Sequence, residues 1–418
     1  MKRYDTYKDS GVQWLGEIPG HWEMRKMKYI FDERSEKNHP NEPMLSATQS
    51  EGVILQSKYQ GRVVVVNTGF EGLKLVKDGD FVIHLRSFQG GIEYAYDRGI
   101  ISSAYTILNP KYPEFSAYYK RLFKSSSFID LLKICVTGIR EGQNINYSKL
   151  KQFFIPLPPL SEQRSIVSFL DAKCGKIDEW VTKKQKEVEH LQELKQRVIA
   201  DAVTRGLNPH VKMKATNIPW LKEIPEHWEI YRYGTLFKLK PVKQHHGEEL
   251  LSVFLNLGVI RAAESDKRTH AASEDLSKYQ LVEETDFVMN NQQAWRGSVG
   301  VSKLVGIISP AYHIFKMPNC MFPDYANYLL RSKCMVSQFE MSSRGVGSIQ
   351  RTLNFNWLNN KIVPVPPLSE QNQIVSYLDA KTSKIDKLIA NVTKEIERIK
   401  EYKQRLISDV VTGQIKVC

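Results

Sequence analysis

Features typical of secreted, metal-binding and membrane proteins are missing from this sequence of 418 residues. Its five cysteines show no CxxC spacing and no histidine at the spacing of metal ligands, which argues against a disulfide framework and a zinc site. No run approaches the roughly 20 apolar residues that span a bilayer, and the polar start MKRYDTYKDS contains no apolar signal-peptide core. We therefore expect reduced thiols, a cytoplasmic location and no association with membranes.

Motifs of common enzymes are missing as well. The sequence contains no GxxxxGK[ST] phosphate loop and neither HExxH nor GxSxG. It also lacks NPP[YF] and DPP[YF], the tetrapeptides in which adenine methyltransferases resemble one another. No carboxylate cluster suited to a two-metal nuclease recurs in both halves of the chain. The sequence therefore predicts a protein that is not an enzyme, and a self-contained nuclease or methyltransferase is the less favoured alternative.

Size and charge narrow the architecture and the partners. A chain of this length exceeds one ordinary domain and predicts two or three units, each with its own core. The 59 Lys and Arg residues outnumber the 46 Asp and Glu residues, which gives a formal net charge of +13. That excess favours a polyanionic partner over acidic ligands or neutral small molecules.

The main feature of the sequence is an internal repeat. Residues 14–23, WLGEIPGHWE, and residues 220–229, WLKEIPEHWE, match at eight of ten positions. Residues 156–182 and 364–390 match at 17 of 27 positions, and both contain PPLSEQ, LDAK and KID. These two pairs of segments are offset by 206 and 208 positions, so the repeat has nearly constant length. The sequence therefore predicts two copies of one ancestral unit, related by approximate twofold symmetry.

Each copy divides into three parts. The first is a short IPxHW segment at residues 18–22 and 224–228, which we interpret as aromatic packing instead of a ligand site. The second is a mixed stretch with β-rich runs such as DFVIHL at 80–85 and VGIISP at 305–310, followed by helical patches. The third is a long helix. Each copy is therefore predicted to hold one α+β globular domain.

The long helices are predicted to begin after each PPL sequence. Ser161 and Ser369 are suited to cap them, because a serine hydroxyl accepts a hydrogen bond from the first turn. Gly206 and Gly413 follow at the far ends, where a left-handed residue belongs. Helices of this length would span about 60 to 65 Å at 1.5 Å per residue. They are therefore predicted to act as spacers.

Apolar residues recur along both helices with heptad spacing, interrupted by lysines at shared positions, Lys195 and Lys403. We interpret these lysines as side chains that snorkel at the edge of the seam. Two heptad seams in one chain predict an antiparallel helix pair, and the alternative is that each helix packs only on its own domain.

The predicted fold class is α+β, with two globular domains separated by two long helices that pack as an antiparallel coiled coil. Internal pseudo-twofold symmetry relates the two copies. The predicted division is a globular domain at residues 1–160, a helix at 161–206, a globular domain at 207–368, a helix at 369–413 and a tail at 414–418.

In this order of segments, the sequence resembles the specificity subunit of type I restriction-modification systems. The resemblance covers essentially the whole chain: an IPxHW segment, a domain, a PPLSEQ junction and a long helix occur twice, and the second series ends near VVTG at 410–413. It implies that each globular domain is a target recognition domain that reads one half of a split, asymmetric target in double-stranded DNA. It also implies that the helices set the spacing and dock methylation subunits.

The resemblance further implies which partners carry out the chemistry. Restriction and translocase subunits join the methylation subunits, and S-adenosylmethionine, ATP and Mg are expected in these partners instead of in this chain. Together with the approximate symmetry of the repeat, it predicts two methylation subunits for each copy of the chain.

The two recognition domains differ most in the loop that follows a shared DFV sequence. Residues 83–92, IHLRSFQGGI, and 289–298, MNNQQAWRGS, differ almost completely, whereas DFV aligns at 80–82 and 286–288. Arg, Asn, Gln and short polar side chains match the hydrogen-bonding patterns of base edges. Taken singly, each such side chain is more readily explained as a solvated loop residue. The loop residues predicted to contact DNA are Arg86, Ser87 and Gln89 in the first domain, and Asn291, Gln292, Gln293 and Arg296 in the second.

A second polar cluster precedes each PPL junction, at residues 138–144 and 342–351. Glycines in these segments allow the backbone to approach phosphate closely. The residues predicted to contact DNA here are Arg140, Gln143, Asn144, Arg344, Gln350 and Arg351. Phosphate contacts are favoured for the arginines, because at least half of protein–DNA hydrogen bonds go to the backbone of DNA. Phe88 and Trp295 are candidates to stack on a displaced base, although core packing is the favoured interpretation.

A coiled-coil adaptor that binds RNA or only proteins is the remaining alternative. It shares the repeat and the helices, but it does not explain unlike loops rich in Arg, Asn and Gln on like scaffolds. DNA recognition is therefore the favoured function.

Overall fold

In a computed structural model, the chain is described at residues 2–61, 68–137, 144–218, 220–240, 248–255, 257–264, 276, 278–346 and 350–417. It divides into two units: unit 1 is Met1–Gln185 with Lys394–Cys418, and unit 2 is Lys186–Thr393. Two long helices supply residues to both units, and each unit also contains a domain of short strands and helices. Within the described ranges, no helix combines the length and apolar character needed to cross a membrane.

Helices in the described part of the chain are of two kinds, short ones within the domains and two long ones of 46 and 44 residues. Two of the short ones are capped alike, because Ser125 and Ser332 each accept a hydrogen bond from a backbone N–H of the first turn. The α-helices are α1 (Ser87–Gly90), α2 (Ser116–Leu122), α3 (Ser126–Ile134), α4 (Tyr147–Leu150), α5 (Leu160–Arg205), α6 (Tyr233–Leu236), α7 (Pro323–Arg331), α8 (Lys333–Met341), α9 (Phe355–Leu358) and α10 (Leu368–Val411).

Strands in both units are short. Those of unit 1 are β1 (Tyr7–Asp9), β2 (Glu17–Pro19), β3 (Glu23–Lys26), β4 (Phe31–Arg34), β5 (Leu45–Thr48), β6 (Gly52–Leu55), β7 (Lys74–Val76), β8 (Phe81–Ile83), β9 (Glu93–Tyr94), β10 (Gly99–Ile101), β11 (Thr106–Pro110), β12 (Val136–Thr137), β13 (Asn144–Ile145) and β14 (Phe154–Leu157). Those of unit 2 are β15 (Met213–Ile218), β16 (Leu221–Pro225), β17 (Glu229–Arg232), β18 (Lys238–Leu239), β19 (Leu251–Phe254), β20 (Gly258–Arg261), β21 (Gln280–Val282), β22 (Phe287–Asn290), β23 (Val299–Val301), β24 (Gly306–Ile308), β25 (Tyr312–Lys316), β26 (Ser343–Val346), β27 (Gln350–Leu353) and β28 (Ile362–Val365).

The two units have the same sheet topology. A four-stranded antiparallel sheet has the order β4-β11-β8-β9 in unit 1 and β18-β25-β22-β23 in unit 2. The two-stranded pairs recur in the same way, with β1-β2 as β15-β16, β3-β14 as β17-β28, β5-β6 as β19-β20, β7-β10 as β21-β24, and β12-β13 as β26-β27. The sequence repeat is therefore a repeat of the fold, and the predicted α+β class is confirmed.

The core of each unit takes side chains from both long helices. In unit 1, Ile166 and Leu170 of α5 are buried in the same cluster as Leu406 and Val410 of α10. In unit 2, the buried cluster contains Ile199, Ala202 and Val203 of α5 together with Ile374 and Leu378 of α10. Each domain is thus completed by the start of one long helix and the end of the other, which are far apart in the sequence.

Both long helices begin one residue earlier than predicted, at Leu160 and Leu368. The Pro159 carbonyl already accepts a hydrogen bond from the backbone N–H of Gln163 at 2.9 Å, so the first turn forms before the serine. Ser161 and Ser369 lie inside that turn, and their predicted role as N-caps is wrong.

The far ends of the helices agree better with the sequence. The helices end at Arg205 and Val411, close to the predicted bounds 206 and 413. Gly206 and Gly413 have φ angles of 72° and 77°, the left-handed conformation expected just after a helix.

Within each unit the long helices run antiparallel and contact each other. In unit 1, Asp178 of α5 pairs with Lys403 of α10, and Lys184, further along α5, lies 3.6 Å from Glu395, which is earlier in α10. Apolar seam residues such as Val181 and Ile396 are buried. The predicted antiparallel coiled coil is confirmed, and helices that pack only on their own domains are excluded.

The IPxHW segments fasten the domains to the helix starts. His21 Nε2 lies 2.7 Å from Glu162 Oε2 in unit 1, and His227 Nε2 lies 2.8 Å from Glu370 Oε2 in unit 2. The tryptophan after each histidine is buried in the core. The predicted packing role of these segments agrees with these contacts.

Candidate DNA interface

The two variable loops begin at equivalent positions, because each follows the corresponding strand in the four-stranded sheet of its own unit. The strands β8 and β22 carry the DFV sequence, and the aspartate that precedes each is almost completely buried. Arg34 Nε donates to Asp80 Oδ2 at 2.9 Å, and Lys240 donates to Asp286 at the equivalent place. Burial raises the pKa of Asp80, and hydrogen bonds from Arg34 and from the backbone of Lys77 oppose this only in part. These buried ion pairs fix the position of the strand from which each variable loop starts.

In unit 1, the loop folds into the single turn of α1. Arg86 and Gln89 are exposed, as contact with DNA requires. Ser87 is fully buried, and its hydroxyl accepts a hydrogen bond from the backbone N–H of His84 at 2.9 Å. The prediction that Ser87 contacts DNA is therefore not supported, because this side chain closes the turn. Phe88 packs against the core, as favoured.

Of the second predicted cluster of unit 1, Asn144 lies within the described residues. Asn144 is exposed at the start of β13, and its carbonyl accepts a hydrogen bond from the Thr137 hydroxyl at 3.3 Å. Arg140 and Gln143 lie outside the described residues. The strand pair β12-β13, which contains Asn144, corresponds to the strand pair β26-β27 of unit 2.

In unit 2, the loop after β22 is organised by Asn290. Its Oδ1 accepts hydrogen bonds from the backbone N–H groups of Gln292, at 2.9 Å, and Gln293, at 3.1 Å. Gln292 and Arg296 are exposed, and Gln293 is half-buried. This turn presents several side chains of the loop at the surface.

The structure brings the two predicted clusters of unit 2 together. The backbone N–H of Leu353, in β27, lies 3.3 Å from both the carbonyl oxygen and the side-chain Oδ1 of Asn291. The Arg351 guanidinium lies over the Trp295 ring, 4.8 Å from its centre, and Arg296 lies over the same ring at 4.5 Å. For Gln350, only the backbone, in β27, is described.

A third arginine of this surface stacks on a residue that sequence reasoning missed. Arg344 of β26 lies over the ring of Trp357, 4.4 Å from its centre, and Trp357 is 42% exposed. Arg344 and Trp357 are neither adjacent nor at a helical or strand spacing, so the sequence contains no signal for the contact.

A buried glutamate behind the loop of unit 1 was also missed. Glu93 is fully buried, and Lys124 Nζ lies 2.5 Å from its Oε1 and 2.9 Å from the carbonyl oxygen of Gly90. This lysine connects the end of α1 to β9 and holds the loop from behind. In the part of the chain that the structure describes, no group of three or more His, Cys, Asp or Glu residues is arranged to hold a metal ion.

Comparison with known proteins gives the family. The family profile for the type I restriction modification DNA specificity domain matches residues 15–190 and 305–398, more than half of the chain. The chain is 26% identical over 316 residues to the putative type I restriction enzyme MjaX specificity subunit of Methanocaldococcus jannaschii, covering 73% of this chain and 68% of that protein. It is 25% identical over 362 residues to the type I restriction enzyme MjaVIII specificity subunit of the same organism, covering 82% and 80%.

A solved structure shares the fold. It comes from work on complex assembly and conformational transition of the type I R-M system, and it matches with a TM-score of 0.64 at 16% identity over 95% of this chain and 99% of that chain. The profile match covers more than half of the chain, and the two units of the chain share one sheet topology. This chain therefore belongs to the family of type I restriction-modification DNA specificity domains.

Proposed function

We propose that the domain of each unit reads one half of a split, asymmetric target in double-stranded DNA, and that the chain itself catalyses no reaction. The observation that carries this proposal is a pair of unlike loops on like scaffolds. The strands β8 and β22 occupy the same place in the same sheet. Arg86 and Gln89 are exposed after the first, and Gln292 and Arg296 are exposed after the second. Two different sets of donors and acceptors on one scaffold suit two different half-sites.

The hairpins β12-β13 and β26-β27 supply contacts that fix the position of the domains on DNA. Asn144 and Arg344 are exposed on these hairpins, and both side chains suit a phosphate oxygen. Contacts to phosphate carry no sequence information, but they release counterions, so affinity for any DNA should fall steeply with salt.

The long helices set the distance between the half-sites and dock two methylation subunits, with restriction and translocase subunits completing a cytoplasmic complex. Residues 394–405 of α10 carry both positive and negative side chains, and most of these are exposed. The apolar residues Val392 and Ile396 of the same helix are buried. Mixed exposed charge on a helix suits docking of protein better than tracking of phosphate. S-adenosylmethionine, ATP and Mg act in the partner subunits under this proposal.

The test is to co-express the full chain with its cognate methylation subunit, in a host without such systems, and to map methylated adenines. A new split, asymmetric motif is expected. Replacing residues 229–360 by the corresponding segment of another specificity subunit should change one half of the motif only. A soluble complex that methylates nothing, or a swap that alters both halves, would contradict the proposal.

A further inference from the structure

Arginine and tryptophan side chains of unit 2 form a cluster, and the sequence did not predict the contacts between them. We call Trp295, Arg296, Arg344, Arg351 and Trp357 the Arg–Trp cluster. Its members come from three separate segments: the loop after β22, the β26-β27 hairpin, and α9. Three guanidinium groups therefore meet two indole rings on one domain.

The hairpin displays its arginines on opposite faces. In the antiparallel register, Arg344 pairs with Thr352 and Gly345 pairs with Arg351. Paired residues share a face and neighbours along a strand alternate, so Arg344 and Arg351 point to opposite sides. Arg344 lies over Trp357 on one side of the hairpin. Arg351 lies over Trp295 on the other side, where the variable loop also places Arg296.

The Trp295 ring is fixed in place. Its Nε1 donates to the carbonyl oxygen of Gln292 at 3.0 Å, within the turn that Asn290 organises. A guanidinium that lies over a fixed ring loses much of its rotational freedom before any ligand arrives. Its N–H groups point outward from the edge of the plane, in the fork geometry that suits two adjacent acceptors.

The positive charge of the three arginines favours DNA, a polyanion, as the ligand of the Arg–Trp cluster. The Arg351 guanidinium also has an acidic neighbour among the described residues, because its Nη1 lies 3.3 Å from Glu340 Oε1. Within the described residues of unit 1, the cations that lie over aromatic rings are lysines, such as Lys120 over Tyr94 and Tyr96. A lysine is a point charge without a fork, so the two domains offer different chemistry.

We propose that Arg296 and Arg351, oriented by Trp295, are specificity-determining residues that read guanine, so the half-site of unit 2 contains at least one G·C pair. This inference rests on the proposed function. Guanine presents O6 and N7 side by side in the major groove, and the planar fork of an arginine can donate to both of them. Gln292 and Gln293 lie in the turn that leads to Arg296, where their backbone N–H groups bond to Asn290, and glutamine is a residue type that matches the edge of adenine.

The experiment uses the complex of the full chain with its methylation subunit. We would map the methylated motif for the wild type, Arg296→Ala and Arg351→Ala, with Arg197→Ala, at an exposed arginine of α5, as the matched control. We expect each of the two cluster variants to tolerate other bases at a G·C position of the same half-site, with the other half unchanged. Discrimination at that position should fall roughly 5- to 150-fold, as for loss of one bidentate contact.

A binding measurement separates base contact from a structural effect. Replacing the guanine by 7-deazaguanine removes the N7 acceptor, so it should weaken binding of the wild type and have little further effect on the variant that has lost the contact. A half-site for unit 2 without a G·C pair would overturn the inference. So would variants that weaken binding to all sequences equally while the motif stays unchanged, because that result indicates phosphate contact. Absence of any split motif with the wild type would instead refute the proposed function.

Discussion

Lys403 of α10 places its Nζ 2.6 and 2.7 Å from the two carboxylate oxygens of Asp178 in α5. The equivalent pair in unit 2 exchanges the helices, since Lys195 of α5 lies 2.7 Å from both oxygens of Asp386 in α10. Each lysine interrupts an apolar heptad seam, and each aspartate belongs to a KID sequence. Each ammonium therefore reaches a carboxylate on the opposite helix, at the solvent-exposed edge of the seam. A charged position in a seam also disfavours other registers of the helix pair.

These ion pairs should contribute little to stability. The side chains of Lys403 and Asp178 are 24% and 61% exposed, so solvent screens their attraction. In a double-mutant cycle with Lys403→Ala and Asp178→Ala, we expect a coupling energy of roughly 0.2 to 1 kcal/mol from urea unfolding. The same cycle at Lys195 and Asp386 is the matched control and should give a similar value. A coupling near zero at one pair and several kcal/mol at the other would contradict the equivalence of the two units.

The glycine after α10 should be far less tolerant of substitution than a glycine inside α5. Gly413 has a left-handed φ of 77°, and an added Cβ would lie 2.3 Å from Pro19 Cδ. Gly413→Ala should therefore destabilise unit 1 by about 1 to 2 kcal/mol for the backbone conformation alone, with the clash in addition. Gly175 is helical with no atom within 4 Å of an added Cβ, so Gly175→Ala should stabilise by up to about 1 kcal/mol.

Thermal unfolding of the two alanine variants, compared with the wild type, checks this pair of predictions. Equal shifts in midpoint for both would show that the conformation and surroundings of Gly413 do not matter. The two changes add the same methyl group, so their difference in sign reports only on the local structure.

The sequence was sufficient for the architecture because its strongest signals are periodic or repeated. The repeat predicted the duplicated fold, and the PPL junctions together with Gly206 and Gly413 predicted the ends of both long helices to within two residues. The antiparallel pairing followed from two seams in one chain. The helix starts were misjudged, since Ser161 looks like a cap from its residue type, whereas the preceding proline already begins the turn.

Contacts between segments that are distant along the chain could not be predicted from the sequence. Nothing local shows that Ser87 turns inward to close its own loop, since the exposed Arg86 beside it is equally polar. The stacking of Arg344 on Trp357 depends on how α9 packs beside the β26-β27 hairpin. Such contacts are set by tertiary packing, which residue spacing alone does not encode.

Unit 2 should lose stability in mildly acidic solution because of His313. Burial lowers the pKa of His313 below its ordinary value of 6.5, and its ring packs edge to face against Phe355 at 4.6 Å. Between the folded and unfolded pKa values, the unfolded chain binds the proton and the folded chain does not. The stabilising contribution is therefore fully present above about pH 6.5 and is lost as the pH falls below it.

The free energy of unfolding, measured between pH 5 and 8, checks the His313 prediction. The variant His313→Gln should show a weaker decrease in stability on acidification than the wild type, even if it is less stable at every pH. His190→Gln, at an exposed position of α5, is the matched control and should keep the wild-type slope. An unchanged slope in His313→Gln would mean that other groups cause the pH dependence.

If the long helices set the spacing of the DNA target, shortening both by one heptad should shorten the spacer. Residues 183–189 of α5 and 391–397 of α10 are matched segments, because Lys184 lies 3.6 Å from Glu395. Removing seven residues from each keeps the heptad frame and shortens each helix by about 10 Å, at 1.5 Å per residue. This equals about three base pairs at 3.4 Å each, so methylation mapping should show the same half-sites with a spacer about three base pairs shorter. Duplicating the same heptads should lengthen the spacer by as much, whereas deletion in α5 alone should abolish the soluble complex by breaking the helix pair. Altered half-site sequences with an unchanged spacer would show instead that the helices take part in base recognition.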